Sequence, residues 1–232
     1  MAQTRKTILM LGTSLDSKGG ISSVASEYRR AGMFDNWPIV YIVTYRDGHK
    51  LYKLYVALRS LVRFVGLLMW RDVAIVHVHT ATRASFWRKS IFILIAFLAR
   101  RPVILHVHSG LFMQFYEQEC GALAKRFVRF VLDHAARIIV LSEQRRIELS
   151  NISRNTRIVR IVNPISVDDV SPAGPVSRLP AMLLFLGRFV PTKGIYDLLD
   201  AVAVLKHQFP DLTLVCGGDG DASGVLERSR KL

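Results

Sequence analysis

The sequence predicts a doubly wound α/β domain followed by the start of a second α/β unit. Three observations carry this. Short runs rich in valine and isoleucine recur along the chain, and amphipathic stretches of ten to twenty residues separate them. A segment dense in proline and glycine then interrupts the alternation once, after which it restarts.

Residues 7–11, 39–43, 73–78, 103–107, 137–141 and 157–162 read as buried parallel strands, because a sheet covered on both faces requires nearly continuous apolar runs. Between them, residues 20–33, 51–70, 84–100, 115–134 and 143–151 carry helical spacing. These elements define a first domain over residues 1–162. Residues 163–180 hold Pro164, Pro172, Gly174, Pro175 and Pro180 and form a linker by composition. A strand at 181–186, a helix at 194–208, a strand at 212–216 and a helix from Ala222 open a second domain over 181–232. Two strands and two helices do not cover both faces of a sheet, so this domain is expected to be incomplete.

Composition narrows the function classes. The 232 residues are half apolar and 22% charged, a globular balance, with 32 Lys+Arg against 18 Asp+Glu and a net charge of +14. That excess argues for an anionic partner: a nucleotide, a nucleic acid or a membrane surface. Two distant cysteines, Cys120 and Cys216, exclude a disulfide framework and a cysteine zinc site and fit a reducing compartment. The longest apolar run, residues 91–99, falls short of the roughly 20 residues of a membrane-spanning helix. Residues 7–12 are too short for the core of a signal peptide, so a cytoplasmic location is expected.

Ligands of open α/β sheets sit at the carboxyl ends of strands. The first strand runs into Gly12 and then Gly19-Gly20-Ile21-Ser22, where glycines let backbone approach a ligand and a helix N-terminus offers N–H groups to phosphate. The same glycine pair also serves as a plain turn. A P-loop is excluded by Ser17 and Gly19, and no G-x-G-x-x-G follows the strand. Strands three and four end in His77-Val-His79 and His106-Val-His108, each pair on one face of its strand. No carboxylate or cysteine accompanies them at ligand spacing, so the preferred reading is a substrate-facing His108, and no metal is expected.

In the second domain Gly187-Arg188 and Lys193-Gly194 lie between a strand and a helix, and two fixed cations beside N–H groups suit a departing diphosphate. Asp219-Gly220-Asp221 occupies a strand-to-helix turn where Asp and Gly are ordinary. Over 51–70, Leu51, Leu54, Tyr55, Leu58, Leu61, Val62, Val65, Leu68 and Met69 form the stripe expected to face the sheet. Val56, Phe64 and Leu67 beside Lys53, Arg59 and Arg63 then leave a second face that suits either an ordinary covering helix or anionic lipid.

Taken together, Gly19-Gly20, the two His-x-His pairs, Ser142, Asn163-Pro164 and above all Gly187-Arg188, Lys193-Gly194, Leu198-Leu199, Ala201, Leu205, Pro210, Leu212, Gly218 and Gly220 resemble a retaining GT-B glycosyltransferase of family 4. The resemblance implies two Rossmann-like domains, the second only begun here, and transfer of a hexose from a UDP- or GDP-linked sugar with retention and no cofactor. By position it implies that Gly19 and Gly20 line the donor phosphates and that His108 contacts the donor sugar. It further implies that Arg188 and Lys193 hold the leaving diphosphate, and that Gly187, Gly218 and Gly220 border the donor. The family's E-x7-E signature has no counterpart; Glu227 stands alone. The implied partners are a nucleotide sugar, a lipid-linked or glycan acceptor of envelope or exopolysaccharide assembly, and the cytoplasmic face of an anionic membrane. A nucleic-acid module finds no recognition helix or stacking-aromatic motif. A non-catalytic remnant that binds membrane or a partner is the other reading.

Overall fold

In the computed structural model the described residues are 6–17, 19–166 and 181–232. They fall into two units, one ending at Asp169 and the other beginning at Val170. Most of the linker expected at 163–180 lies outside the described residues.

In the first unit β1 (Thr7–Thr13), β2 (Ile39–Tyr45), β3 (Val73–Thr80), β4 (Val103–Val107), β5 (Arg137–Val140) and β6 (Ile158–Arg160) pair in the order β2-β1-β3-β4-β5-β6. Every pair is parallel. The intervening helices are α1 (Gly20–Arg30), α2 (Met33–Asn36), α3 (Lys50–Trp70), α4 (Ala84–Leu98), α5 (Phe112–Gln114), α6 (Ala122–His134) and α7 (Glu143–Ile152). This is the doubly wound, Rossmann-like sheet that the valine and isoleucine runs require. From β1 the chain steps outward to β2, then crosses back to β3. The direction therefore reverses beside β1, and the crevice at the carboxyl ends of β1 and β3 is where such sheets take ligands.

Leu9, Leu11, Val76, Val78 and Leu105 are buried along the strands, and Phe64, Phe86 and Phe92 fill the helix layer against them. Phe64 meets Phe92 edge-on at 5.3 Å. Removing either ring should cost about 3–5 kcal/mol. The edge strand β6 is tied in by one side chain. Asn155 donates from Nδ2 to the carbonyls of Leu132 (2.9 Å) and Ala135 (2.7 Å), and its Oδ1 accepts from the Arg157 N–H (2.8 Å). Free carbonyls at the end of α6 thereby gain a buried donor.

Two elements differ from the sequence reading. The helix expected at 115–134 is divided: α5 passes into a π-helical turn, Phe115–Glu119, Cys120 is extended, and α6 begins after Gly121. The wide turn keeps Phe112, Phe115 and Tyr116 inside while the chain changes direction. The second difference is the face of α3. Phe64 and Ser60 are its buried residues, whereas Leu51, Leu54, Tyr55, Leu58, Val62 and Met69 of the stripe expected to face the sheet are exposed. Phe64 takes the buried position, with Leu61, Leu67 and Leu68 packed partly against the same core, and the rest of the stripe turns outward. No helix among the described residues is long and apolar enough to cross a membrane.

In the second unit β7 (Met182–Leu186) pairs in parallel with β8 (Thr213–Gly217). A 3-10 turn, Pro191–Lys193, precedes α8 (Ile195–Leu205), and α9 (Ala222–Arg230) follows β8. Phe189, Ile195, Leu199 and Val225 form its core. Arg228 of α9 binds both carboxylate oxygens of Asp200 on α8 at 2.9 and 2.8 Å. The loops after the two strands touch: the Phe189 N–H donates to the Asp219 carbonyl at 2.7 Å. A Cβ on Gly218 would stand 1.8 Å from the Gly187 carbonyl oxygen, so that close approach requires glycine.

Candidate active site

A cleft of about 650 Å³ opens at the carboxyl ends of β1 to β4 in the first unit. One wall is the start of α1. Gly19 occupies its N-cap position with no side-chain cap, and the first intrahelical donor bond in this turn is Ser23 N–H to Gly19 O at 3.0 Å. The preceding N–H groups thus lack intrahelical acceptors, and the helix dipole adds positive potential there. A Cβ on Gly20 would meet nothing within 4 Å, so the backbone is open to a ligand. The Ser22 hydroxyl is turned back onto the Gly19 carbonyl at 2.7 Å and onto Ser17 O, which fixes the loop.

The floor is a layer of four imidazoles. Alternation places His77 and His79 on one face of β3, and the strand register sets His79 opposite His106. Ring centroids are 4.4 Å apart for His77–His79, 4.9 Å for His79–His106 and 4.0 Å for His106–His108. His79 Nδ1 and His108 Nε2 share one proton across 2.8 Å. His77 Nε2, His79 Nε2, both nitrogens of His106 and His108 Nδ1 are enclosed without a protein partner. Burial drives all four pKa values down, to about 4 for His77 and His108 and about 2 for His106; repulsion from neighbouring rings adds to it for His79, His106 and His108, and the Lys89 ammonium adds to it for His79 and His108. The layer is therefore neutral at pH 7. Nitrogens of His77, His79 and His106 lie within 4.8 Å of one another. The His77 ring, however, stacks on both others, at 26° to His79 and 8° to His106, and stacked rings do not aim in-plane lone pairs at one point as a tetrahedral cation demands. Of the four, His108 lines the cleft.

The third wall was not found from the sequence. Tyr45, Asp47, Ser85 and Arg88 line it. The Arg88 guanidinium lies over the Tyr45 ring at 4.9 Å, Lys53 Nζ approaches the same ring at 5.4 Å, and the Tyr45 hydroxyl donates to Asp47 at 2.9 Å. Behind Ser85 sits Lys89, fully buried, its pKa pushed down to about 7 by burial and by Arg88. The signal was present: Lys89 falls on the apolar stripe of α4 with Phe86, Ile93 and Ala96, where a charge is out of place.

The residues singled out in the second unit lie around the β7–α8 and β8–α9 turns. Arg188 and Lys193 are exposed, and neither forms an ion pair among the described residues. Gly194 holds φ 72° at the N-cap of α8, again with no side-chain cap. Gly187, Gly218 and Gly220 form the tight backbone contact between the two loops. Asp221 is an N-cap: its Oδ1 accepts from Gly224 N–H at 3.0 Å and from the Ser223 hydroxyl at 2.6 Å, the latter being the main reason its pKa falls. The turn reading of this segment describes it correctly.

A doubly wound sheet with its cleft at the switch point, walled by an uncapped helix N-terminus, defines the Rossmann-like N-terminal domain type of GT-B proteins. The chain belongs to Glycosyltransferase Family 4, whose sequence profile matches residues 6–169. It is 34% identical over 100 residues to an uncharacterized glycosyltransferase, YqgM, of Bacillus subtilis (strain 168), covering 43% of this chain and 28% of that protein. It is 33% identical over 98 residues to the phosphatidyl-myo-inositol mannosyltransferase of Mycobacterium tuberculosis (strain ATCC 25618 / H37Rv), covering 38% of this chain and 26% of that protein. The corresponding enzyme of Mycobacterium leprae (strain TN) is 33% identical over 105 residues. The aligned stretches thus span little more than a quarter of these relatives.

Proposed function

We propose that this chain acts in transferring a hexose from a UDP- or GDP-linked sugar to a lipid-linked or polysaccharide acceptor, with retention at the anomeric carbon, in envelope or exopolysaccharide assembly. The observation that carries the reading is the cleft at the switch point, where the open N-terminus of α1 faces a neutral His108. Gly19 and Gly20 approach donor phosphate through backbone N–H groups. His108 remains uncharged at the sugar, where a cation would oppose positive charge developing at the anomeric carbon. Arg188 and Lys193 take up the negative charge of the departing diphosphate, and Gly187, Gly218 and Gly220 keep the loops of that unit close enough to border the nucleotide. No metal is required in this scheme, because Arg188 and Lys193 supply positive charge for the diphosphate.

The acceptor half of the reading draws support from α3. Leu51, Leu54, Tyr55, Leu58 and Val62 form an exposed apolar stripe with Arg59 and Arg63 beside it, the composition of a helix that rests on anionic lipid at the cytoplasmic face. The names of the mycobacterial relatives, which specify a phosphatidyl lipid acceptor, point the same way. The same face supports the second reading, a non-catalytic chain that binds membrane or a partner. Incubation with labelled UDP- and GDP-hexoses and a lipid extract separates the two: label should enter the lipid phase, and the transferase reading fails if the chain binds vesicles while no donor is consumed.

A further inference from the structure

We propose that the first unit's cleft contains a subsite for a phosphate ester carried by the acceptor, built by Arg88 and Lys89 of α4 beside Tyr45 and Ser85. The word acceptor rests on the reading above; the anion chemistry stands on the geometry alone.

Lys89 is fully buried, and among the described residues its one hydrogen-bond partner is the Ser85 hydroxyl, at 3.4 Å. No carboxylate pairs with it among the described residues. A buried ammonium without a counter-charge is strongly disfavoured, so this side chain keeps its proton only where an anion arrives to pair with it. Ser85 lines the cleft, which places that charge one hydroxyl behind its wall. Arg88, the next residue, stands in the wall itself. Its Nε is enclosed without an acceptor, and its Nη1 reaches only the Ala84 carbonyl at 3.5 Å. Stacking on Tyr45 holds the guanidinium plane in place, with its terminal Nη groups as the donors that a ligand in the cleft would meet. A planar fork of fixed donors backed by a second cation matches the tetrahedral oxygens of a phosphate.

This pair lies on α4, apart from the Gly19-Gly20 turn assigned to the donor, and in a different unit from Arg188 and Lys193. The one carboxylate lining the cleft, Asp47, is engaged by the Tyr45 hydroxyl and is placed to accept from a hydroxyl of the same ligand. Phosphate with neighbouring hydroxyls is the chemistry of a phosphorylated polyol or sugar acceptor.

The test uses the full chain carrying Arg188→Ala and Lys193→Ala, which silences the other cation pair, titrated calorimetrically with glycerol 3-phosphate, inorganic phosphate and glycerol. Glycerol 3-phosphate should bind most tightly, inorganic phosphate more weakly and glycerol not at all. Adding Lys89→Met or Arg88→Gln should each weaken the ester at least tenfold, whereas Lys206→Gln, an exposed cation elsewhere, should leave it unchanged. The proposal is overturned if neither phosphate binds, if binding survives both substitutions, or if inorganic phosphate binds as tightly as the ester. Should Lys89→Met fail to fold, the partly exposed Arg88→Gln decides. Absence of sugar transfer by the parent chain, with this binding intact, would count against the transferase reading alone.

Discussion

His79 Nδ1 lies 2.8 Å from His108 Nε2, so the tautomer of a fully buried imidazole is coupled to that of the one histidine in its layer that lines the cleft. With both rings neutral, one nitrogen of the pair donates and the other accepts, while His108 Nδ1 stays enclosed and the residue lines the cleft. His79→Phe keeps the stacked volume and removes the bond. Loss of one such bond should lower transfer about tenfold. Its mark is a fall in kcat with little change in KM and an unaltered far-ultraviolet spectrum; equal kcat in the variant would remove His79 from the site.

The same layer predicts acid sensitivity. Burial holds His77, His106 and His108 below the ordinary histidine value near 6.5. Below pH 6.5 the unfolded chain therefore binds protons that the folded layer refuses. Stability is full above about pH 7 and falls as pH drops toward about 4, by up to about 1.4 kcal/mol per pH unit for each histidine. Thermal melts at pH 7.5 and 5.0 should show a clear loss at the lower pH. His77→Gln should flatten the dependence, and a pH-independent melting temperature in this range would show that the rings are not buried as a layer.

The exposed cations of the second unit give a different signature. Arg188→Ala or Lys193→Ala should reduce transfer by roughly 10²–10³ if each stabilises the leaving diphosphate. Neither side chain supports the core, so the melting temperature should move by no more than a degree or two. Full activity in either variant would refute the role.

Asn155 offers a test of the fold itself. It is nearly buried and joins α6 to β6 through three hydrogen bonds, two donated and one accepted. Asn155→Ala leaves the Leu132 and Ala135 carbonyls without that donor, and should cost about 2–3 kcal/mol. Urea unfolding should show a lower midpoint with an unchanged slope. Asn155→Asp should be worse, because a carboxylate cannot donate to two carbonyls.

How much of this was legible in the sequence follows from what each signal depends on. The six strands were legible because a parallel sheet buried on both faces leaves unbroken runs such as Ile8 to Leu11. His108 and the Gly19-Gly20 turn were legible as strand-end residues, since topology alone brings those to the cleft. The facing of α3 was not. Its apolar residues surround the axis, and whether Leu58 or Phe64 turns inward depends on what the sheet and Phe92 leave room for. The wall of Tyr45, Ser85 and Arg88 was hidden for a similar reason, since the end of β2 and the start of α4, distant in sequence, meet only through the β2-β1-β3 order.

Lys89 supplies the last prediction, because its sign is unusual. Its ammonium is pushed down from 10.5 to about 7 by burial and by the neighbouring Arg88. A lysine whose folded pKa lies below its unfolded one opposes folding fully below pH 7, and the opposition fades as pH rises toward 10.5. Lys89→Met keeps the length of the chain and removes the charge from the core stripe of α4. The variant should therefore be more stable than the parent at pH 7, by about 2–4 kcal/mol. The gain should shrink at pH 10, the reverse of what a lysine in an ion pair would show. Urea titrations of both proteins at the two pH values measure it. A loss of stability at pH 7 would mean that Lys89 already has an anionic partner, which would leave the wall of the cleft without unspent charge.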